Sequence, residues 1–324
     1  MEHVDRPPLP LRVRRSAPSA GVGSAVADRV GLAGVLDGHG GLARRAHGGR
    51  VPGTAVAAGW RWGLRDRWST RWWPQGVAIG EHAGIPIALV SWFAQERRGV
   101  RQGARLTVVD LRDERRPRYR HVLLVTVADD GRLEPVPIHA GGIAWLGGEE
   151  AGGGRLFAAA TFGGIREFRL ADIARADGPF GHRLVLPQHA EFAAAGERHE
   201  RLRYSFVSST ADGEVLAGEY RTDDAGRIAR LRVGDEHAEI LEVFVPGIVA
   251  MQGVVRDDAG WVVSASRGDR LPGDLWTGPM DALVRHEGAL PPGPEDVALD
   301  ADGRIWGVSE FPRRRWLYRL RQVE

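Results

Sequence analysis

Glu295 and Asp296 stand side by side in the stretch GPEDVALDADGRIWGVSEF, residues 293–311, and Glu310 nearly closes it. Neighbouring carboxyl groups can divide acid and base duties, because burial and a nearby like charge raise a carboxyl pKa towards neutrality. The same residues could instead be one copy of a structural repeat whose polar groups satisfy strand ends and ordered water. Which of these holds depends on the elements that position them.

From about residue 73 onwards the chain consists of short β-branched or apolar runs separated by Gly and Asp turns such as DDG, ADG, DDAG and DADG, a pattern for strands. Five runs fall into register: PQGVAI (74–79), AGGIAW (140–145), YSFVSS (204–209), MQGVVR (251–256) and PEDVAL (294–299). Each leads to a second strand, ALVSWF, FAAATF, VLAGEY, VVSASR or WGVSEF, and then to a third. The starts lie 66, 64, 47 and 43 residues apart. Blades of four strands, roughly 40–50 residues plus loops, accommodate such a spacing. The expectation is an all-β chain, a β-propeller of five blades, with six as the alternative if one long repeat hides a degenerate blade. The last repeat runs out of chain after its third strand. Ring closure then calls for an outer strand from the N-terminal side, in RVPGTAVAAG (50–59). Residues 1–45, rich in Pro, Gly, Ala and Arg, read as an irregular, loosely docked N-terminal arm, and 46–324 as the propeller domain.

Stacking the repeats places Glu295 in a column with Gln75, Gly141, Ser205 and Gln252, and Glu310 in a column with Trp92, Thr161, Glu219 and Ser266. A structurally equivalent position filled by such mixed polar chemistry points to a funnel lining, to which each blade contributes one side chain. Asp296 shares its column with Gly76, Gly142, Phe206 and Gly253, and reads as a turn or inter-blade cap. His139, just before AGGIAW, is placed beside the same entrance, where it would serve as an acid–base partner or bond a neighbouring blade.

The stretch GWRWGLRDRWSTRWW interleaves Trp60, Trp62, Trp68, Trp72 and Trp73 with Arg. It reads as an aromatic cover over one mouth of the ring, or as a surface that stacks on an aromatic ligand. Arg313, Arg314 and Arg315 read as a solvated turn.

Composition removes several classes of chemistry. There is no Cys, so disulfides, thiolate metal sites and a Cys nucleophile are out. All 44 basic side chains are Arg, and with no Lys the chain has neither a Schiff-base amine nor a P-loop lysine. The absence of both Lys and Asn fits a very GC-rich genome. A formal charge of only +2 gives no support to nucleic-acid binding, and no apolar run is long enough for a membrane span. The N-terminus lacks the apolar core of an export signal, so a cytoplasmic location is expected, or a secreted one if a signal has been removed. No HExxH, GxSxG, GxGxxG or Walker A pattern occurs.

PQGVAI, AGGIAW and GPEDVALDADGRIWGVSE resemble the blade-opening motifs of actinobacterial propeller proteins, and more distantly those of the gluconolactonase and strictosidine-synthase-like superfamily, over roughly residues 68–320. Gluconolactonase-type members hold a divalent metal in the channel with Glu, Asp and Asn, and this chain has no Asn. Strictosidine-synthase-like members use a channel glutamate without metal to promote a cyclisation, a role the resemblance opens to Glu310 or Glu295.

The sequence therefore leads to an expected enzyme with neither metal nor cofactor, a cyclase or isomerase of specialised metabolism acting on a small apolar or aromatic substrate. Glu295, Glu310 and Glu219 would transfer protons with His139, Gln75 and Gln252 would orient the substrate, and Trp92, Trp73, Tyr204, Thr161 and Ser266 would line its site. The alternatives are a non-catalytic propeller that binds a ligand or a protein, and a hydrolase or lyase holding Ca²⁺ or Mg²⁺ through Glu295, Asp296 and Glu219. Sequence leaves the oligomeric state open.

Overall fold

The computed structural model describes residues 11–14, 26–38, 40–46, 51–99, 102–148, 152–195 and 201–321. Nearly all of the regular structure is β, as the alternating runs require. Four antiparallel strands form the first group, Trp72–His82, Ile85–Ala94, Ala104–Asp110 and Arg118–Val127. The second comprises Ile143–Leu146, Arg155–Ala159, Ile165–Arg169 and Leu184–Ala193. The third is Phe206–Ser209, Val215–Gly218, Ile228–Val233 and His237–Phe244. Met251–Asp257, Gly260–Ala265, Pro272–Gly278 and Val284–Pro292 make the fourth. The last group, Pro294–Leu299, Ile305–Ser309 and Trp316–Leu320, is completed by Val56–Arg61, antiparallel to Trp316–Leu320. The fourth strand of the last group thus comes from the N-terminal side, and it leaves the ring no open seam there.

The first strands of the groups touch one another in chain order, and that of the last touches that of the first. The arrangement is propeller-like. Outer edges of the first three groups are also bridged, by parallel pairing of Val185–Pro187 with Leu123–Val125 and by Leu11–Arg14, which lies between Leu184–Ala193 and His237–Phe244.

Of the expected N-terminal arm, residues 1–10, 15–25 and His39 lie outside the described residues. The described remainder is docked rather than loose. Gly31–Leu36 is a short helix that buries Leu32 and Val35 in the core between the first two groups. Asp28–Arg29, Gly41–Leu42 and Arg44–Ala46 each pair with a propeller strand. Apolar side chains at helical spacing pull the segment down despite its Gly content.

The Trp–Arg stretch also differs from a cover over the mouth. Trp60 and Trp62 are 1% and 3% exposed, and Trp60 stacks on Trp306 with centroids 5.0 Å apart. Arg315 is fully buried, contrary to a solvated turn, and donates to the carbonyls of Asp66 at 2.9 Å and Trp72 at 2.6 Å. A guanidinium can be buried here because backbone carbonyls and the faces of Trp73 and Trp92 replace its water.

The centre of the ring is held at Asp296. It is fully buried, and it accepts the backbone N–H groups of Val77 at 3.2 Å, Ile143 at 3.3 Å and Val297 at 3.0 Å. One carboxyl group therefore ties the first strands of three groups, the inter-blade role expected of it. Its column is otherwise mostly glycine for a steric reason: a Cβ on Gly253 would lie 2.7 Å from the Asp296 backbone, and one on Gly76 would lie 2.7 Å from Ile143 N. Serines clip adjacent groups nearby, with Ser91 Oγ donating to Ala140 O at 2.7 Å and Ser264 Oγ to Glu295 O at 2.8 Å.

Asp296→Ala orphans three buried N–H donors, each costing about 1–3 kcal/mol. Chemical denaturation is expected to register a loss of at least ~3 kcal/mol, with Asp296→Asn intermediate. Equal stability of the alanine variant and the parent would refute the hub role.

Candidate functional site

A cavity of 390 Å³ opens at the end of the ring beside this hub. Its lining includes the whole first column read from the sequence: Gln75, Gly141, Ser205, Gln252 and Glu295, one residue from each group. The local backbone explains their direction. In the first and last groups, Gln75–Gly76 and Glu295–Asp296 are β-bulges, where two residues of the first strand oppose one on its partner. The pairing of Met251–Asp257 shifts in the same way at Gln252. A bulge re-aims a side chain that regular pleating would send into the sheet. Ala140 and Tyr204, immediately before Gly141 and Ser205, take left-handed φ values of 52° and 50°, an unusual conformation for non-glycine residues.

The second column is brought together only in part. Glu310 and Thr161 line the cavity, but Trp92 and Glu219 do not. The strand pairs Val77↔Val90, Ile143↔Ala158, Val207↔Ala217, Val254↔Val263 and Val297↔Gly307 fix the true register. Counting outward from these pairs, the residues equivalent to Glu310 are Phe93, Thr161, Tyr220 and Ser266. The sequence alignment is therefore one residue out in the first and third groups, and a one-residue slip sends a side chain to the opposite face of a strand. Trp92 accordingly sits in the core with no exposure, against Trp62, Arg105 and Arg315. Glu219, 2% exposed, takes Arg227 Nη2 at 2.8 Å and Nε at 2.9 Å and the Arg203 N–H at 2.9 Å. Burial pushes its pKa up, but the Arg227 hydrogen bonds outweigh this and hold it below the usual carboxylate range.

The remaining expected residues divide similarly. His139 lines the cavity, its ring 4.1 Å from that of Phe93. Tyr204 is buried in the core at 1% exposure, Trp73 packs edge-on to Phe311, and Ser266 accepts the Gly268 N–H; none of the three lines the cavity. The expected aromatic wall is thus absent from the lining, which is polar. Two lining residues escaped the sequence reading. Tyr220 follows Glu219 directly, and Arg203 stands before YSFVSS as His139 stands before AGGIAW, so the repeat held the signal for both. Arg203 Nη1 donates to Tyr220 O at 2.8 Å.

Electrostatically the centre of the site is a carboxyl pair. Glu295, 3% exposed, and Glu310 are hydrogen-bonded to each other. Gln252 Nε2 donates to Glu295 Oε1 at 3.1 Å, and Gln75 Nε2 donates to Glu310 Oε2 at 3.0 Å. Loss of water pushes Glu295 well above its ordinary pKa, and the charges of Glu310 and Asp296 push it further. Burial also raises Glu310, to about 7, with Gln75 and Arg315 pulling the other way. Burial raises Asp296 despite its three N–H donors. Burial and the neighbouring carboxyl groups thus favour the protonated form at Glu295 most strongly, while Glu310, at about 7, is poised to gain or lose a proton.

The channel metal implied by the gluconolactonase resemblance does not fit these donors. Among the described residues no group of three or more His, Asp or Glu is placed to hold an ion. Asp296 spends its oxygens on backbone N–H groups, and Glu219 is engaged by Arg227 away from the cavity.

No protein-family model matches the chain, and no curated protein matches it. Solved structures similar to it include a gluconolactonase from Xanthomonas campestris, 13% identical over 86% of this chain and 84% of that one, with a TM-score of 0.41. A glucose dehydrogenase is 12% identical over 73% and 79% at a TM-score of 0.39, and a luciferin-regenerating enzyme 13% over 79% and 77% at 0.38. Likenesses of this degree carry no argument about chemistry. Among the described residues no helix is long and apolar enough to cross a membrane.

An acid whose pKa is raised on folding binds its proton more tightly in the native state than in the unfolded chain. The resulting stabilisation is full below the ordinary carboxylate range and is lost as pH rises through about 7. Glu310→Gln is therefore expected to melt above the parent at pH 8, by a few degrees, each ~1 kcal/mol being worth roughly 2–4 °C. The gap should close below pH ~4. Melting curves in which the gap is the same at both pH values would contradict the raised pKa.

Proposed function

We propose that the chain is a five-bladed propeller enzyme that moves protons on a small polar molecule held at the mouth of its channel. Each antiparallel group counts as one blade, residues 46–324 form the propeller domain, and the docked part of residues 1–45 covers it. The observation that carries the catalytic reading is the hydrogen-bonded pair Glu295–Glu310, which among the described residues no Arg neutralises by direct hydrogen bonding and whose pKa values burial raises.

In this reading Glu310, ionised, removes a proton from a substrate carbon or hydroxyl, and protonated Glu295 delivers its own to another substrate atom. Isomerisation, or ring opening or closure, fits such an exchange. After turnover Glu310 holds the proton and Glu295 the charge, and the hydrogen bond between them lets the proton return without solvent. Arg203 and Tyr220 would face an oxyanion that develops during the transfer. Gln75 and Gln252 hold the two carboxyl groups in place, and His139, Thr161 and Ser205 offer hydrogen bonds to substrate hydroxyls. With a lining of this kind the substrate is polar, with hydroxyl or carbonyl groups, rather than apolar. The steps use no metal or cofactor. A soluble protein in the cytoplasm, without nucleic-acid partners, agrees with this reading.

A panel of hydroxylated lactones, oxo acids and sugars, screened for isomerisation or ring opening, tests it. With the compound that turns over, kcat/KM should follow a bell, its acid limb near pH 7 from Glu310 and its alkaline limb from Glu295. Glu310→Gln and Glu295→Gln should each lower kcat by ~10²–10⁴. Full turnover in both variants would refute the acid–base role of the pair, and no turnover of any compound by the parent would leave a binding protein. Independently of any substrate, the infrared carbonyl band of protonated carboxylic acid at neutral pH should lose intensity in Glu295→Gln.

A further inference from the structure

A second and larger cleft, of 480 Å³, lies off the axis, between the helix Leu64–Trp68, the outer strands of the first group and the turn at Phe180–Leu184 of the second. Its floor is Asp66. This carboxylate accepts Arg105 Nη2 at 2.8 Å and Tyr119 Oη at 2.7 Å and lies 3.1 Å from His121 Nε2. Burial pushes Asp66 up, but His121, Arg105 and Tyr119 together hold it far below the usual range, so its single charge is spent on Arg105. Arg105 is itself fixed, with its guanidinium 4.7 Å from the rings of both Trp72 and Trp92.

The rest of the charge in the cleft is positive. Arg65 is exposed and has no carboxylate partner among the described residues. Arg120 donates to Gly34 O and Val35 O, neutral carbonyls, at 3.1 and 3.2 Å. Arg183 is paired with Asp177. His182 lies among these groups, and burial, then Arg105, with Arg71 and Arg65 adding to them, hold it down to about 4. At neutral pH both His121 and His182 are uncharged, and Arg65 and Arg120 remain uncompensated.

One wall is aromatic and incompletely covered. Phe180 is 42% exposed with a left-handed φ of 59°, edge-on to Trp72 at 6.1 Å, and Arg71 lies 3.9 Å over its ring. A strained backbone that presents a large apolar ring to water beside unpaired cations has a use if something covers it.

We propose that this cleft is a second ligand site, distinct from the channel, for a small aryl oxyanion, its phosphate or carboxylate meeting Arg65 and Arg120 and its ring packing on Phe180 and Trp72. The proposal is independent of the chemistry assigned to Glu295 and Glu310. Guanidinium forks suit planar or tetrahedral oxyanions, and their hydrogen bonds to such groups are among the strong ones.

Calorimetric titration of the full chain with phenyl phosphate, benzoate and phenol tests it. At least one of the two anions should bind at millimolar concentration and weaken as salt rises, while phenol, which carries the ring without the charge, binds at least ~10-fold less tightly. Benzoate against phenyl phosphate decides which oxyanion is preferred. Arg65→Gln and Phe180→Ala, both at exposed positions, should each weaken the better anion by roughly 10-fold, the first through a lost charge-assisted contact and the second through lost ring packing. No heat with either anion, phenol binding as tightly as both, or an affinity unchanged in both variants would each overturn the site. Glu310→Gln should leave the anion affinity as it is, and a loss there would place the ligand in the channel instead.

Discussion

The inner strands can meet at one axis only because a dehydrated carboxyl group at Asp296 finds three backbone N–H donors there, from Val77, Ile143 and Val297. Strands that converge side by side cannot hydrogen-bond as a sheet, and their free N–H groups would be buried without partners. The glycines of the same column supply the other half of the solution. Gly76 and Gly253 let backbones approach to distances at which a Cβ would collide with a neighbouring main chain. Asp296 is the one carboxyl side chain in that column, so the ring is closed by an asymmetric device within a repeated frame. Its position also decides that of the site, because Glu295 precedes it on the same bulge and is thereby turned to the cavity while Asp296 is turned to the axis.

Burial of an acid has two outcomes in this molecule, and the contrast identifies the chemically available pair. Glu219 and Asp66 are buried against guanidinium groups, which hold them ionised and stable as anions. Neither can serve as a proton donor near neutral pH. Glu295 and Glu310 are given amide donors and each other instead of a guanidinium in hydrogen-bonding contact. Neutral donors orient a carboxyl group without fixing its charge, so the cost of dehydration appears as raised pKa values and not as an ion pair. Such an arrangement is unfavourable for stability at neutral pH, and unneutralised buried acids of this kind are concentrated at functional sites.

Much of the frame could be read from the chain because repetition averages out local ambiguity. Five aligned runs identified the inner strands, and the unfinished last repeat required an N-terminal strand, which is Val56–Arg61. The first site column was legible for the same reason: Gln75, Gly141, Ser205, Gln252 and Glu295 are anchored by the apolar residue two positions further on. The second column was not, since the strings ALVSWF and VLAGEY can be matched to WGVSEF in two registers that differ by one residue. Only the interstrand pairing distinguishes them, and it puts Phe93 and Tyr220 in place of Trp92 and Glu219. Arg315 was misread for another reason. A run of three arginines looks solvated, and nothing in the sequence says that the carbonyls of Asp66 and Trp72 will converge on the third.

That buried guanidinium also helps to separate the roles of the two catalytic candidates. Arg315 is the cation whose field lowers the pKa of Glu310, while no cation among the described residues offsets the rise at Glu295. Two carboxyl groups in identical surroundings would share a proton evenly, and neither would be reliably base or acid. Here the positive charge lies nearer one partner and the Asp296 carboxyl nearer the other, so the proton is biased towards Glu295. The assignment of Glu310 as base follows from this asymmetry, and it ties the chemistry at the channel mouth to the Trp–Arg packing between the first and last groups, where Trp73 and Trp92 hold Arg315 in place.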